Sequence, residues 1–279
     1  MVSQIISAFT RAILVALLVA TPALVLPSIA TDTAQIVVVI AILFSLLTFI
    51  EYFGRYPSIV EFRFAPPFNR LKFLALCAVI LSLSFICRGL YEPTPLTIII
   101  THIGSSLAGL MDFPFSPVRL IVLMLPPETS ASEVALVRLA GAISYTVSLL
   151  MVFAFVVMVR LLGWPMRNGA FNVWVNLPLF DPTRGGDIVE RLKRDASLNI
   201  VLGSLLPFLI PAVVKAASFV IEPISIENHQ TLIWTMTVWA LLPASILMRG
   251  IALMRVGELI EQKRRRVYAK AEAEGMQKA

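Results

Sequence analysis

The chain is a succession of apolar runs about as long as a bilayer is thick, separated by connectors that hold nearly all of its charge, and water-soluble folds do not tolerate that pattern. Five runs reach the roughly 18 to 25 residues a helical span needs: Ala12 to Ala30, Thr33 to Ile50, Leu139 to Val159, Ile200 to Ile221 and Thr231 to Met248. Leu71 to Cys87 makes a shorter sixth. Composition agrees, with 58% of 279 residues hydrophobic, 14% charged and a mean hydropathy of +0.87. The expected fold class is an all-α integral membrane protein. A multi-pass membrane domain would occupy residues 1–250 and a charged cytoplasmic tail helix residues 251–279. Cys77 and Cys87 lie ten positions apart in one run, about 15 Å along a helix, too far to bridge.

One stretch, Leu96 to Pro127, is apolar enough for a bilayer but is broken by Asp112, Pro114 and Pro117. Whether it crosses decides which side every later segment faces. Cytoplasmic segments are enriched in Lys and Arg. If the stretch crossed, Arg88, the six basic residues of the 160–199 connector and the eight of the tail would face outward, fifteen of 23 in all. If it enters and leaves on the outer side, nineteen of the 23 face inward and only Arg88, Arg119 and Arg138 face outward, with Lys215 inside a span. Six transmembrane helices with both termini in the cytoplasm are therefore expected, with a re-entrant or interfacial element on the outer face at 96–127. Ser130 and Glu133 have the spacing of a capping box, which would start a new helix leading into the fourth span. The expected location is a bacterial inner membrane. Ser28 and Ala30 imitate a signal-peptide cleavage site, but the run is long enough to stay as an uncleaved first helix.

The connectors are aromatic and basic. Between Glu51 and Lys72, Tyr52, Phe53, Tyr56, Phe62, Phe64 and Phe68 interleave with Arg55, Arg63 and Arg70, a pattern expected at headgroup level; Trp164 and Trp174 suggest the same for the next connector. Asp187 to Leu198 places Ile188, Val189, Leu192 and Ala196 on one helical face, as in a helix resting on lipid. In the tail, Lys263, Arg264, Arg265 and Arg266 are expected to touch anionic lipid, and no nucleic acid is expected.

Chemistry is sparse. The interiors of the spans contain no Asp, Glu or His, and their one charge is Lys215. Ionisable groups at membrane depth mark ion paths and proton relays, so proton-coupled transport has almost nothing to work with. His102 and His229 are the candidate axial ligands for a haem or pigment, although no catalytic residue, metal site or cofactor is expected. Gly104, Ser105, Ala108 and Gly109 form small-xxx-small pairs that allow close helix packing. The same segment, Gly104-Ser105-Ser106-Leu107-Ala108 with His102 four residues before Ser106, resembles the G-x-S element of rhomboid intramembrane proteases. That resemblance implies a serine hydrolase using Ser106. The alanine-histidine motif of rhomboids is absent around His229, which is followed by Gln230-Thr231-Leu232.

The function expected from these features is a non-catalytic accessory or assembly subunit. It would pack against other integral membrane subunits, with a respiratory or photosynthetic membrane as one setting. A transporter or channel for a neutral or apolar solute is the alternative, using the helix broken at Pro207 and Pro211.

Overall fold

The computed structural model describes residues 2–27, 30–165, 171–181, 183, 185–218 and 228–278, with all side chains of these but 174 and 274–278. Ser28, Arg167, Arg184, Glu222 and the expected end of a span at Ile221 lie outside the described residues, as does the side chain of Trp174. Every regular element described is helical: α1 (Val2–Val25), α2 (Thr31–Phe53), α3 (Phe68–Gly89), α4 (Pro95–Met111), α5 (Pro117–Leu123), α6 (Ala131–Leu161), α7 (Val173–Asn176), α8 (Ile188–Ala217) and α9 (His229–Lys278). Six of them, α1, α2, α3, α6, α8 and α9, are long and apolar enough to cross a membrane.

The helix ends follow local chemistry. Ser130 Oγ accepts the Glu133 N–H while the Glu133 carboxylate accepts the Ser130 N–H at 3.0 Å, so the expected capping box forms at the start of α6. Thr94 and Thr97 build a second box ahead of α4, with Pro95 at the first helical position. Asp187 caps α8 by accepting the Val189 N–H at 3.0 Å.

The largest departure from sequence expectation is α8. Asp187 to Leu198 is not a separate helix on lipid but the first turns of the helix that continues to Ala217. Its apolar face, Val189, Leu192 and Ala196, is buried, and these turns run antiparallel to α9 where Leu253 and Val256 are also buried. A protein partner within the chain has taken the place expected for lipid. Helix α9 likewise passes residue 250 without a break and reaches Lys278, about 75 Å at 1.5 Å per residue.

The α8/α9 pair is held close by glycine. A Cβ on Gly203 would stand 2.5 Å from the Leu247 nitrogen, and one on Gly250 would stand 2.8 Å from the Ala196 oxygen, so the two backbones meet where only hydrogen fits. Proline sets a second contact. Pro211 has no N–H, so the Pro207 carbonyl lacks its helical partner. Trp239 Nε1 of α9 donates to that carbonyl at 3.2 Å. Trp239→Phe is therefore expected to cost about 1–3 kcal/mol, the penalty of a buried unsatisfied carbonyl. In a Pro211→Ala background, where the helix supplies its own N–H, thermal unfolding should show most of that cost removed.

Candidate functional site

The end of the bundle that carries most of the basic residues is the most organised part of the surface. Helix α2 ends at Phe53 with carbonyls that have no helical partner, and the Arg63 guanidinium reaches back to them. It donates to the carbonyls of Glu51, Tyr52 (2.8 Å) and Gly54 (2.8 Å). Burial holds the Arg63 pKa below its ordinary value, offset in part by Tyr52 and Glu51. The Glu51 carboxylate turns the other way and accepts the Ser58 hydroxyl and the N–H groups of Ser58, Ile59 and Val60, the last at 3.0 Å. One carboxylate and one guanidinium thus fix the whole connector after α2.

Several aromatics of the two connectors are turned into the protein and away from its surface. Phe62, Phe68 and Trp164 are 1%, 1% and 3% exposed, and with Phe155 they form a plug with ring centroids 4.5 to 5.5 Å apart along the chain of contacts. Trp164 Nε1 donates to the Ala65 carbonyl at 3.0 Å, and the Phe62 N–H donates to the Asn176 carbonyl at 2.6 Å. Amphipathic aromatics suit an interface, but here the two connectors fold over each other and each supplies a carbonyl to the other's donor. Phe53, Tyr56 and Phe64 do remain exposed.

Ion pairs stitch α9 to this end. Arg249 makes a bidentate contact to Glu61, Nε to Oε2 at 2.6 Å and a second nitrogen to Oε1 at 2.9 Å. Lys193 meets Glu261 at 2.7 Å and Arg264 meets Asp187 at 2.8 Å. The Asp187 carboxyl is held below its ordinary pKa, first by the Val189 N–H and next by Arg264. Of the four tail cations, Arg264 and Arg265 are thus paired, the latter with Glu261 at 2.7 Å, and all four are exposed.

A second feature lies at the other edge of the bundle. Among the described residues helix α2 packs on α1 and on no other helix, and of its 23 residues only Ala41 and Glu51 are buried. Between α1 and α2 runs an apolar groove of about 530 Å³, floored by Ala12, Ala16, Ala41 and Ser45 and rimmed by Phe9, Leu46 and Phe49.

The remaining sequence candidates separate. Gly104 faces α6, where a Cβ would stand 2.8 Å from Ile143, and Ala108 is buried one turn further on. Ser105 and Gly109 face away, and nothing lies within 4 Å of a Cβ on Gly109. His102 projects from the exposed side of α4, whereas His229 is half-buried with Nδ1 3.3 Å from the Tyr91 hydroxyl. The Ser106 hydroxyl donates to the backbone carbonyl of His102 at 3.0 Å and has no hydrogen bond with its imidazole. Among the described residues, no three of His, Cys, Asp and Glu converge as a metal site would require. Lys215 donates to the Leu125 carbonyl at 3.2 Å and ties the end of α8 to the segment after α5. Sequence patterning had no means of finding the Asn176 and Trp164 contacts, because each joins residues far apart, and the Glu51 contacts with Ser58, Ile59 and Val60 fall in a connector of no regular period.

Fold and contacts together define a multi-pass helical membrane protein whose connectors are folded against its helices. No family model, curated protein or solved structure matches the chain.

Proposed function

We propose that this protein is a non-catalytic accessory or assembly subunit of a complex in a bacterial inner membrane, with both termini in the cytoplasm. The observation that carries this is the α1/α2 hairpin: α2 offers nearly its whole circumference, and the groove beside it has an alanine and serine floor of the kind that admits another helix closely. Other integral membrane subunits are the partners, with anionic lipids around cations at the level of Arg70 and Arg249. Spans nearly free of ionisable groups support a packing role over ion transport.

The outer element is re-entrant or interfacial on this proposal. Phe68 at the start of α3 meets Phe155 near the end of α6, so the far end of α3 lies toward the start of α6. Helix α4 begins beside that end, at Gly89 and Thr97, and finishes at Asp112, which pairs with Arg138 of the second turn of α6 at 3.6 Å. Both ends of α4 thus point to one side, which supports entry and exit on the outer face.

Ala16 lies in the groove floor and is only half-buried, so Ala16→Leu should fill the groove with little effect on the bundle. Purification in mild detergent is expected to recover the wild-type protein with membrane partners and the Ala16→Leu protein with those partners lost and thermal stability unchanged. A monodisperse wild-type protein that never carries a partner would oppose the assignment.

A further inference from the structure

We propose that the free end of α9, from Lys263 to Ala271, is a docking surface for an acidic segment of a water-soluble polypeptide. The inference rests on the cytoplasmic placement of the C-terminus proposed above, and begins with distance. Twenty residues of α9, from His229 to Arg249, span about 30 Å, the thickness of a hydrocarbon core. Gly250 beside Ala196 places Asp195 of α8 at the same level, and from Asp195 to Lys215 is again twenty residues. The bilayer edge therefore falls near Arg249. Lys263 lies fourteen residues further, about 21 Å along the same helix, and an average tilt shortens that only slightly. Headgroups reach about 5–8 Å past that edge, which leaves Lys263 about 15 Å further along the helix, and attraction screened over about 8 Å at physiological ionic strength is weak there.

The surface also has a pattern. The stripe of α9 that α8 covers contains Leu253, Val256 and Ile260, and its last contact is the Arg264 to Asp187 pair where α8 begins. Beyond α8 the stripe continues uncovered, with Val267 58% exposed and Tyr268 67% exposed, followed by the small residue Ala271. Lys263 and Arg266 lie along one side of it, and neither makes an ion pair among the described residues, whereas Arg264 and Arg265 are held by carboxylates. An apolar strip with uncommitted cations along one edge complements an amphipathic segment with Glu and Asp along the matching edge. Nucleic acid fits less well, because half of the basic run already neutralises Asp187 and Glu261, and Glu272 follows.

A benzophenone amino acid placed at Tyr268 of the full-length protein in cells tests this. The expected result is a polypeptide adduct whose cross-linked peptide is rich in Glu and Asp, lost at least tenfold in Lys263→Glu/Arg266→Glu. That variant leaves the Arg264 to Asp187 pair intact, so its melting temperature should not move. No adduct, adducts to phospholipid or RNA, or a polypeptide adduct indifferent to the charge reversal would overturn the proposal. A reporter fused to the C-terminus reads the side of the membrane separately, so a wrong topology is distinguished from a wrong partner.

Discussion

Replacing Gly250 by alanine is expected to destabilise the protein by about 2 kcal/mol, whereas the same change at Gly109 should leave it unchanged or slightly more stable. The added carbon at Gly250 meets the Ala196 carbonyl and the Ile200 nitrogen, both at 2.8 Å, and these are backbone atoms that cannot rotate aside. Relief requires α8 and α9 to separate, which loosens the contact of Trp239 with Pro207 and the ion pairs toward the basic end. At Gly109 the space is open, so what remains is the better helix propensity of alanine, up to about 1 kcal/mol. Gly250→Leu should then yield almost no folded protein in detergent, while Gly109→Leu should purify normally. Thermal unfolding of the alanine pair measures the difference, and equal melting temperatures would mean that α8 and α9 do not pack as described.

Arg249→Ala should be the most damaging single charge deletion. The Glu61 side chain is 10% exposed and its two oxygens are both taken by Arg249, so removal of the cation leaves a largely buried carboxylate without its fork. Breaking a fully buried pair costs about 3–5 kcal/mol. Arg249 is itself 26% exposed, so water can reach part of the site and a loss of about 2 kcal/mol is expected. Arg249→Lys should lose part of this, because a single ammonium cannot reproduce the bidentate contact. Pairing Arg249→Ala with Glu61→Gln should recover most of the loss, which a double-mutant cycle on melting temperature would reveal. By contrast, Arg88→Ala removes a pair whose side chains are 40% and 58% exposed and should change little.

What could be read from sequence divides along physical lines. Apolar runs of bilayer length report helices because only a helix satisfies its own backbone in hydrocarbon, and all six appear. The Ser130/Glu133 box and the break after Met111 were legible because they depend on neighbours in sequence. The face formed by Val189, Leu192 and Ala196 was legible as amphipathic, but periodicity cannot say what covers an apolar face, and the occupant is α9. The same limit applies to Trp164 and Phe62, whose composition suits an interface but whose positions are set by Ala65 and Asn176. Of the packing positions on α4, the pair on the Gly104 side faces α6 and the pair on the Gly109 side does not. Spacing alone yields both pairs and cannot choose between them.

The most direct measurement is the accessibility of single cysteines at Phe113, Gly185 and Lys278, in a Cys77→Ala/Cys87→Ala background, to a membrane-impermeant thiol reagent added to intact cells. An α4 segment that stays on the outer side predicts labelling at Phe113 and protection at Gly185 and Lys278 until the membrane is opened. Labelling of Lys278→Cys in intact cells would mean that residues 96–127 cross the membrane, and would contradict both the six-span topology and the cytoplasmic placement of the α9 end.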